Sequence, residues 1–256
     1  MAGRGLQALR RAVLSRDQRP GARRVALCWS LRSFSASATS AAAAASPAAV
    51  PTRSATEWLA DIQRVAARDV PIKRSKLSSY LKSVTTSEEL EKAKEILKIY
   101  EKKRVDPDAT AAGVFVKKAL ELDAPDVVLD VLAANHRIGL FLEPASLNKV
   151  LWTFLKKGEL DKVFTLHEIG QRQYKVKNTD RTFDVLVRAA LEQQDYEKAV
   201  ELLKTAAETQ SLQRVTCNNL LFKLKDEGMQ DKIEEVAALM KMAGVEPNET
   251  TKQVLP

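Results

Sequence analysis

The chain has 256 residues, 45% of them apolar and 29% charged, with a net charge of +8, an ordinary globular composition with room for one or two domains. No stretch approaches the roughly 18 consecutive apolar residues of a membrane helix, so no membrane span is expected. With only Cys28 and Cys217 present, a Cys-rich zinc site is excluded, and an internal disulfide is too if Cys28 is removed with the segment that carries it.

Residues 1–54 hold nine arginines, no lysine and one acid, Asp17, and so carry the whole +8; the remainder balances 32 basic against 32 acidic side chains. An Arg-rich, Ser-rich, acid-poor start running into the Ala/Ser/Pro tract "SFSASATSAAAAASPAAVP" has the composition of an organellar transit peptide. The segment "LRSFSASATSA" resembles a mitochondrial two-step processing site, with Arg32, Phe34 and Ser37 in the familiar spacing and a mature start near Ala42. A chloroplast leader shares the Ser/Ala richness and remains an alternative to the mitochondrial matrix. The expected organisation is a transit peptide over 1–41 and a disordered linker over 42–53. A capping segment follows over 54–74, and a repeat domain over 75–256. Within the capping segment, Trp58, Leu59, Ile62, Val65 and Ala66 predict one amphipathic helix. Ser54 and Glu57 have capping-box spacing at its start.

A repeat governs the rest. The segments "LEKAKEIL", "PDVVLDVL", "LDKVFTLH", "YEKAVELL" and "MQDKIEEVAAL" align on Ala93, Val128, Val163, Ala199 and Ile233, a period of thirty-five residues. Three residues later stand Ile96, Val131, Leu166, Leu202 and Val236, the spacing of one helical face. Thirteen residues before each anchor a second column, Tyr80, Phe115, Val150, Leu186 and Leu220, marks an earlier helix. Each unit is therefore a helical hairpin, with Gly158 and Gly228 placed to end the first helix of units three and five. Such hairpins cannot bury their apolar faces alone, so an all-α solenoid of about five units sharing one continuous core is expected. Thr250 to Leu255 is expected to lie over the exposed face of the fifth.

The stretch "VTCNNLLFKLKDEGMQDKIEEVAALMKMAGVEPN" (215–248) resembles a pentatricopeptide repeat: a Val-Thr-x-Asn opening, a Gly between the helices, a Met near the end of the second helix and a Gly-Val-x-Pro-Asn exit. Residues 146–166 and 182–203 are similar to weaker members, and the resemblance covers roughly 75–248. The rival tetratricopeptide pattern needs a Leu-Gly pair in the first helix, which no unit has. The resemblance implies a right-handed solenoid that binds single-stranded RNA, messenger or ribosomal, at about one base per repeat. The base-facing pairs it implies are Ser78 with Asp108, Gly113 with Glu143, Asn148 with Asn178, Asp184 with Arg214, and Asn218 with Asn248. Only the first, third and fifth match the family's code. Three readable bases specify on the order of one site in 64, which makes mitochondrial ribosome proteins attractive as additional partners.

Charge placement supplies a second set of candidates. The first helices carry ten basic residues, among them Lys117, Lys118, Lys149, Lys156, Lys157, Lys223 and Lys225, against three acids; the second helices carry eight basic and seventeen acidic. Stacked hairpins would gather these into a basic face fit for phosphates and an acidic one. Helix dipoles account for Lys156, Lys157, Asp161 and Glu88 but less well for Lys149 or Lys223.

Catalytic and cofactor chemistry finds no support. His136 and His167 are the only histidines, and no phosphate loop, nucleophile elbow or metal-ligand cluster is present. A non-enzymatic protein without cofactor, metal or small-molecule substrate is expected. A protein–protein scaffold for a mitochondrial complex, using the same groove for a peptide, is the alternative.

Overall fold

The computed structural model describes residues 53–68 and 70–255; the leader, its processing segment and the linker up to residue 52 lie outside the described residues. α1 (Ala55–Ala67) begins at Ser54, whose side chain accepts from the Glu57 N–H while Glu57 reaches back to the Ser54 N–H. It ends at Ala67 with Arg68 as its C-cap, and packs against α2 (Ser75–Ser83) and α4 (Ala93–Lys102). The second helix of the first hairpin is broken: α3 (Ser87–Glu91) and α4 meet at Lys92.

Four regular hairpins follow: α5 (Ala109–Glu121) with α6 (Pro125–Ala133), α7 (Pro144–Lys156) with α8 (Leu160–Arg172), α9 (Asp180–Glu192) with α10 (Tyr196–Glu208), and α11 (Arg214–Asp226) with α12 (Gln230–Met242). Among the described residues there is no strand. The first helices pack side by side in the order α2, α5, α7, α9, α11; α6 packs on α8, and α10 on α12. The short α13 (Glu249–Lys252) lies against α11, and Val254 beyond it is buried in the last core. The chain is an all-α helical-repeat solenoid.

All five anchors and the whole first-helix column are buried. Of the third column, Leu202 alone is only half-buried; Leu203, four residues past Ala199, takes its place. The expected single core is instead two clusters that meet at α9. Val185, Leu186 and Ala189 belong to the first and Val187 and Ala190 to the second, while Phe164 and Leu202 touch both. α9 is thus the seam, apolar on both flanks because it packs on α7 one way and α11 the other.

Helix ends repeat as regularly as the helices. Asp123, Gly158, Gln194 and Gly228 take φ values of 51°, 73°, 59° and 69°. The next N–H in each case donates to the carbonyl five residues back, as in Glu159 to Phe154 (3.0 Å) and Asp195 to Ala190 (2.9 Å). This Schellman geometry satisfies carbonyls that a helix end leaves open. Glycine adopts it without a Cβ penalty at Gly158 and Gly228, Asp123 is a residue type that tolerates it, and Gln194 adopts it against its intrinsic preference because the hairpin must turn there.

Lysines bridge successive second helices at each step. Lys94 reaches Asp130 (2.8 Å), Lys162 reaches Asp126 (2.6 Å), Lys198 sits 3.3 Å from the centre of the Phe164 ring, and Lys232 reaches Glu197 (2.7 Å). Exposed pairs of this kind contribute at most about 1 kcal/mol each, so the ladder favours register more than stability.

Candidate functional site

Within the observed bounds the first helices carry eleven basic against five acidic residues, and the second helices nine against fifteen. The charge segregation therefore survives in three dimensions, but the individual lysines differ in what they are free to do. Lys149 and Lys223 are exposed, and among the described residues neither has an ion-pair partner. Lys117 and Lys118 both lean on Glu121, at 3.6 and 3.1 Å. Lys157 is tied to the Asp123 carboxylate (2.7 Å) of the preceding hairpin, and Lys225 donates to the Gln253 carbonyl (2.9 Å). Lys156 lies 5.6 Å from the centre of the Trp152 ring.

The asparagines lie where successive first helices join. Asn148 is 8% exposed; its Nδ2 donates to Thr179 Oγ1 (2.9 Å), and its Oδ1 accepts from Thr182 Oγ1 (2.8 Å). Thr179 is the N-cap of α9, and Thr182 completes its capping box. Two joints further on, Asn218 Nδ2 faces Asn248 Oδ1 (3.4 Å), while Thr251 Oγ1 donates to Asn218 Oδ1 (2.7 Å). Asn248 caps α13 and Thr251 completes that box. Between them Thr216 Oγ1 donates to Asp184 Oδ1 (3.2 Å), whose other oxygen accepts from Arg188 (3.0 Å). Each of these three joints places a buried threonine three residues past an N-cap against the polar residue five past the previous N-cap.

At two joints the N-cap lies one residue away from the position expected to face a base. Asn148 meets Thr179, not Asn178, because the connection after α8 is one residue longer than the period allows. Asn178 Oδ1 instead faces His167 Nε2 at 3.0 Å. Gln213 rather than Arg214 is the N-cap of α11, and its amide donates to Asp180, because the connection after α10 is one residue shorter. In the first pair, Asp108 caps α5 by accepting from the Ala111 N–H (2.7 Å), and among the described residues no hydrogen bond joins it to the buried Ser78. Gly113 opens on free space and Glu143 makes no side-chain cap.

Two grooves flank α7 on the first-helix side. One, of about 650 Å³, runs between α7 and α9 past Asn148, Lys149, Trp152, Thr179, Arg181 and Asp184. The other, of about 420 Å³, lies between α5 and α7, and Lys149 borders both. Trp152, half-buried in the first groove, is not among the residues singled out by the repeat pattern, although a tryptophan nine residues past an N-cap on a basic face marks it.

Both histidines and Cys217 are buried or half-buried. Burial pushes the Cys217 thiol up to about 12, and His136 is buried with Nδ1 3.0 Å from Glu101 Oε1. Among the described residues no cluster of His, Cys, Asp or Glu could hold a metal ion. Burial lowers the His167 pKa, a shift that the Asn178 hydrogen bond and the Glu168 charge oppose. Below the ordinary histidine value of about 6.5 the unfolded chain takes up a proton that the folded chain resists, so stability should fall as pH drops from 7 to 5. The lowered carboxylates Asp61, Glu89 and Glu121 lose their contribution only below the usual carboxylate range. Urea midpoints at pH 7 and pH 5 should therefore separate more for the native chain than for His167→Gln. Equal separations would remove His167 as the source.

Hairpins of thirty-five residues on average, stacked first helix to first helix, define an all-α helical-repeat protein. No family model matches the chain, and no curated protein matches it. Among solved structures it is similar to the pentatricopeptide-repeat domain of protein-only RNase P 1 from Arabidopsis thaliana, crystallised in complex with tRNA. The TM-score is 0.42 and the identity 16%, over 72% of this chain and 90% of that one. Among the described residues no helix is long and apolar enough to cross a membrane.

Proposed function

We propose that the chain binds single-stranded RNA along its row of first helices and acts by binding rather than by catalysis. The supporting observation is the pair of grooves flanking α7 on a basic face. There Lys149, and Lys223 further along, carry no ion pair among the described residues, while lysines of the opposite face are engaged in bridges between repeats. The Arg-rich, acid-poor leader supports a site of action in the mitochondrial matrix. Messenger or ribosomal RNA is the substrate class, and so few readable positions favour work beside a partner such as the mitochondrial ribosome.

Counterion release gives a direct test. Binding of a labelled single-stranded RNA should weaken steeply from 50 to 300 mM salt, with a log–log slope of about −0.7 per phosphate contacted. The double variant Lys149→Glu, Lys223→Glu should bind about tenfold more weakly at low salt and reduce that slope by about 1.4. A slope near zero, or unchanged affinity in the double variant, would sink this reading. Crosslinking in intact organelles then separates ribosomal RNA from a single messenger as the bound species.

A further inference from the structure

We propose that Lys117, Trp152, Arg188 and Phe222 form a stacking platform for the bases of a single-stranded RNA, so that this face holds bases without reading their identity. The inference rests on the RNA-binding reading above and specifies how that surface holds its ligand.

The four residues occupy one structural position. Each lies nine residues past the N-cap of its first helix, the caps being Asp108, Glu143, Thr179 and Gln213. Side-by-side packing of α5, α7, α9 and α11 turns that position into a column alternating cation, aromatic ring, cation, aromatic ring. Adjacent members touch across the α7–α9 joint. The Arg188 guanidinium carbon lies 5.5 Å from the centre of the Trp152 ring, and Asp184 holds the Arg188 Nε at 3.0 Å.

The rings differ from the other aromatics of these helices. Tyr80, Phe115, Phe154 and Phe183 are buried in the core, whereas Trp152 is half-buried beside a groove large enough for a nucleotide and Phe222 is 37% exposed. Every base presents a π face, so stacking on such rings and on a guanidinium plane gives affinity that tolerates sequence. Lys156, near the roughly 6 Å limit of a cation–π contact, can swing to a phosphate when a base takes its place over Trp152. The groups that would otherwise read base edges are engaged: the Asn148 and Asn218 oxygens accept from threonines, and their amide groups face neighbouring caps.

In the full chain carrying Trp29→Phe and Trp58→Phe, Trp152 is the only indole. Twelve-residue uridine and adenosine oligomers should quench its fluorescence and bind within about threefold of each other. An abasic sugar-phosphate strand of equal length should bind at least about fivefold more weakly. Trp152→Ala should weaken binding by about 5- to 150-fold. Phe222→Ala, at a more exposed position with less packing to lose, should weaken it about fivefold or more. The platform is overturned, with RNA binding retained, if the abasic strand binds as tightly as uridine and both alanine variants are silent while Lys149→Glu still weakens binding. Absence of binding to every oligomer at low salt overturns the platform and the RNA-binding reading together.

Discussion

Gly139→Ala is expected to destabilise the protein by about 3 kcal/mol, lowering Tm by roughly 6 to 12 °C. The long connection between α6 and α7 contains a 3₁₀ turn over Arg137–Phe141, and Gly139 is buried within it. A methyl group there would lie 2.7 Å from Leu132 Cδ2 and closer still to the Tyr174 ring. Tyr174 follows α8, and its hydroxyl reaches into the preceding hairpin to donate to the Leu132 (2.9 Å) and His136 (3.2 Å) carbonyls. The ring cannot withdraw without losing those bonds from a site that is 8% exposed. Overpacking costs about 1–3 kcal/mol and each lost hydrogen bond about 1 kcal/mol. Gly113→Ala is the matched control. Its Cβ would meet nothing within 4 Å, in the middle of α5, so helix propensity should stabilise that variant by up to about 1 kcal/mol. Chemical denaturation followed by circular dichroism checks both, and equal effects of the two substitutions would remove Tyr174 as the cause.

Asn148→Ala is expected to cost about 2 kcal/mol of stability, one from each hydrogen bond to the α9 capping box. Asn218→Ala, half-buried and with one of its two contacts at 3.4 Å, should cost about 1 kcal/mol. A residue that only touched a base would leave stability unchanged, so the denaturation midpoint of each variant without RNA distinguishes a joint between repeats from a reader. An unchanged midpoint for Asn148→Ala would return that residue to the base-reading role its position suggested.

These two sites mark the limits of the sequence. Periodic apolar residues are legible because burial removes each from water at the same phase of every hairpin; Tyr80, Phe115, Val150, Leu186 and Leu220 all reach the core. The N-cap signal at Ser54 is legible because capping depends on neighbours three residues away, whereas the cap at Asn248 is seen only in the structure. The joint of Asn148 with Thr179 is not legible in the sequence because the connection after α8 departs from the period by one residue, and a fixed offset cannot sense loop length.

The sequence alone therefore determined the class of structure: the thirty-five residue period, hairpin helices, their buried columns and the separation of charge between first and second helices. All of these depend on local spacing along the chain. Tertiary structure decided which polar groups are free. Contacts more than thirty residues apart tie Lys157 to Asp123, Asn148 to Thr179 and Lys162 to Asp126, while Lys149 and Lys223 stay exposed and the Trp152 ring comes beside Arg188. Whether a side chain can meet a ligand depends on what the neighbouring repeat already asks of it, and that is fixed only when the hairpins stack.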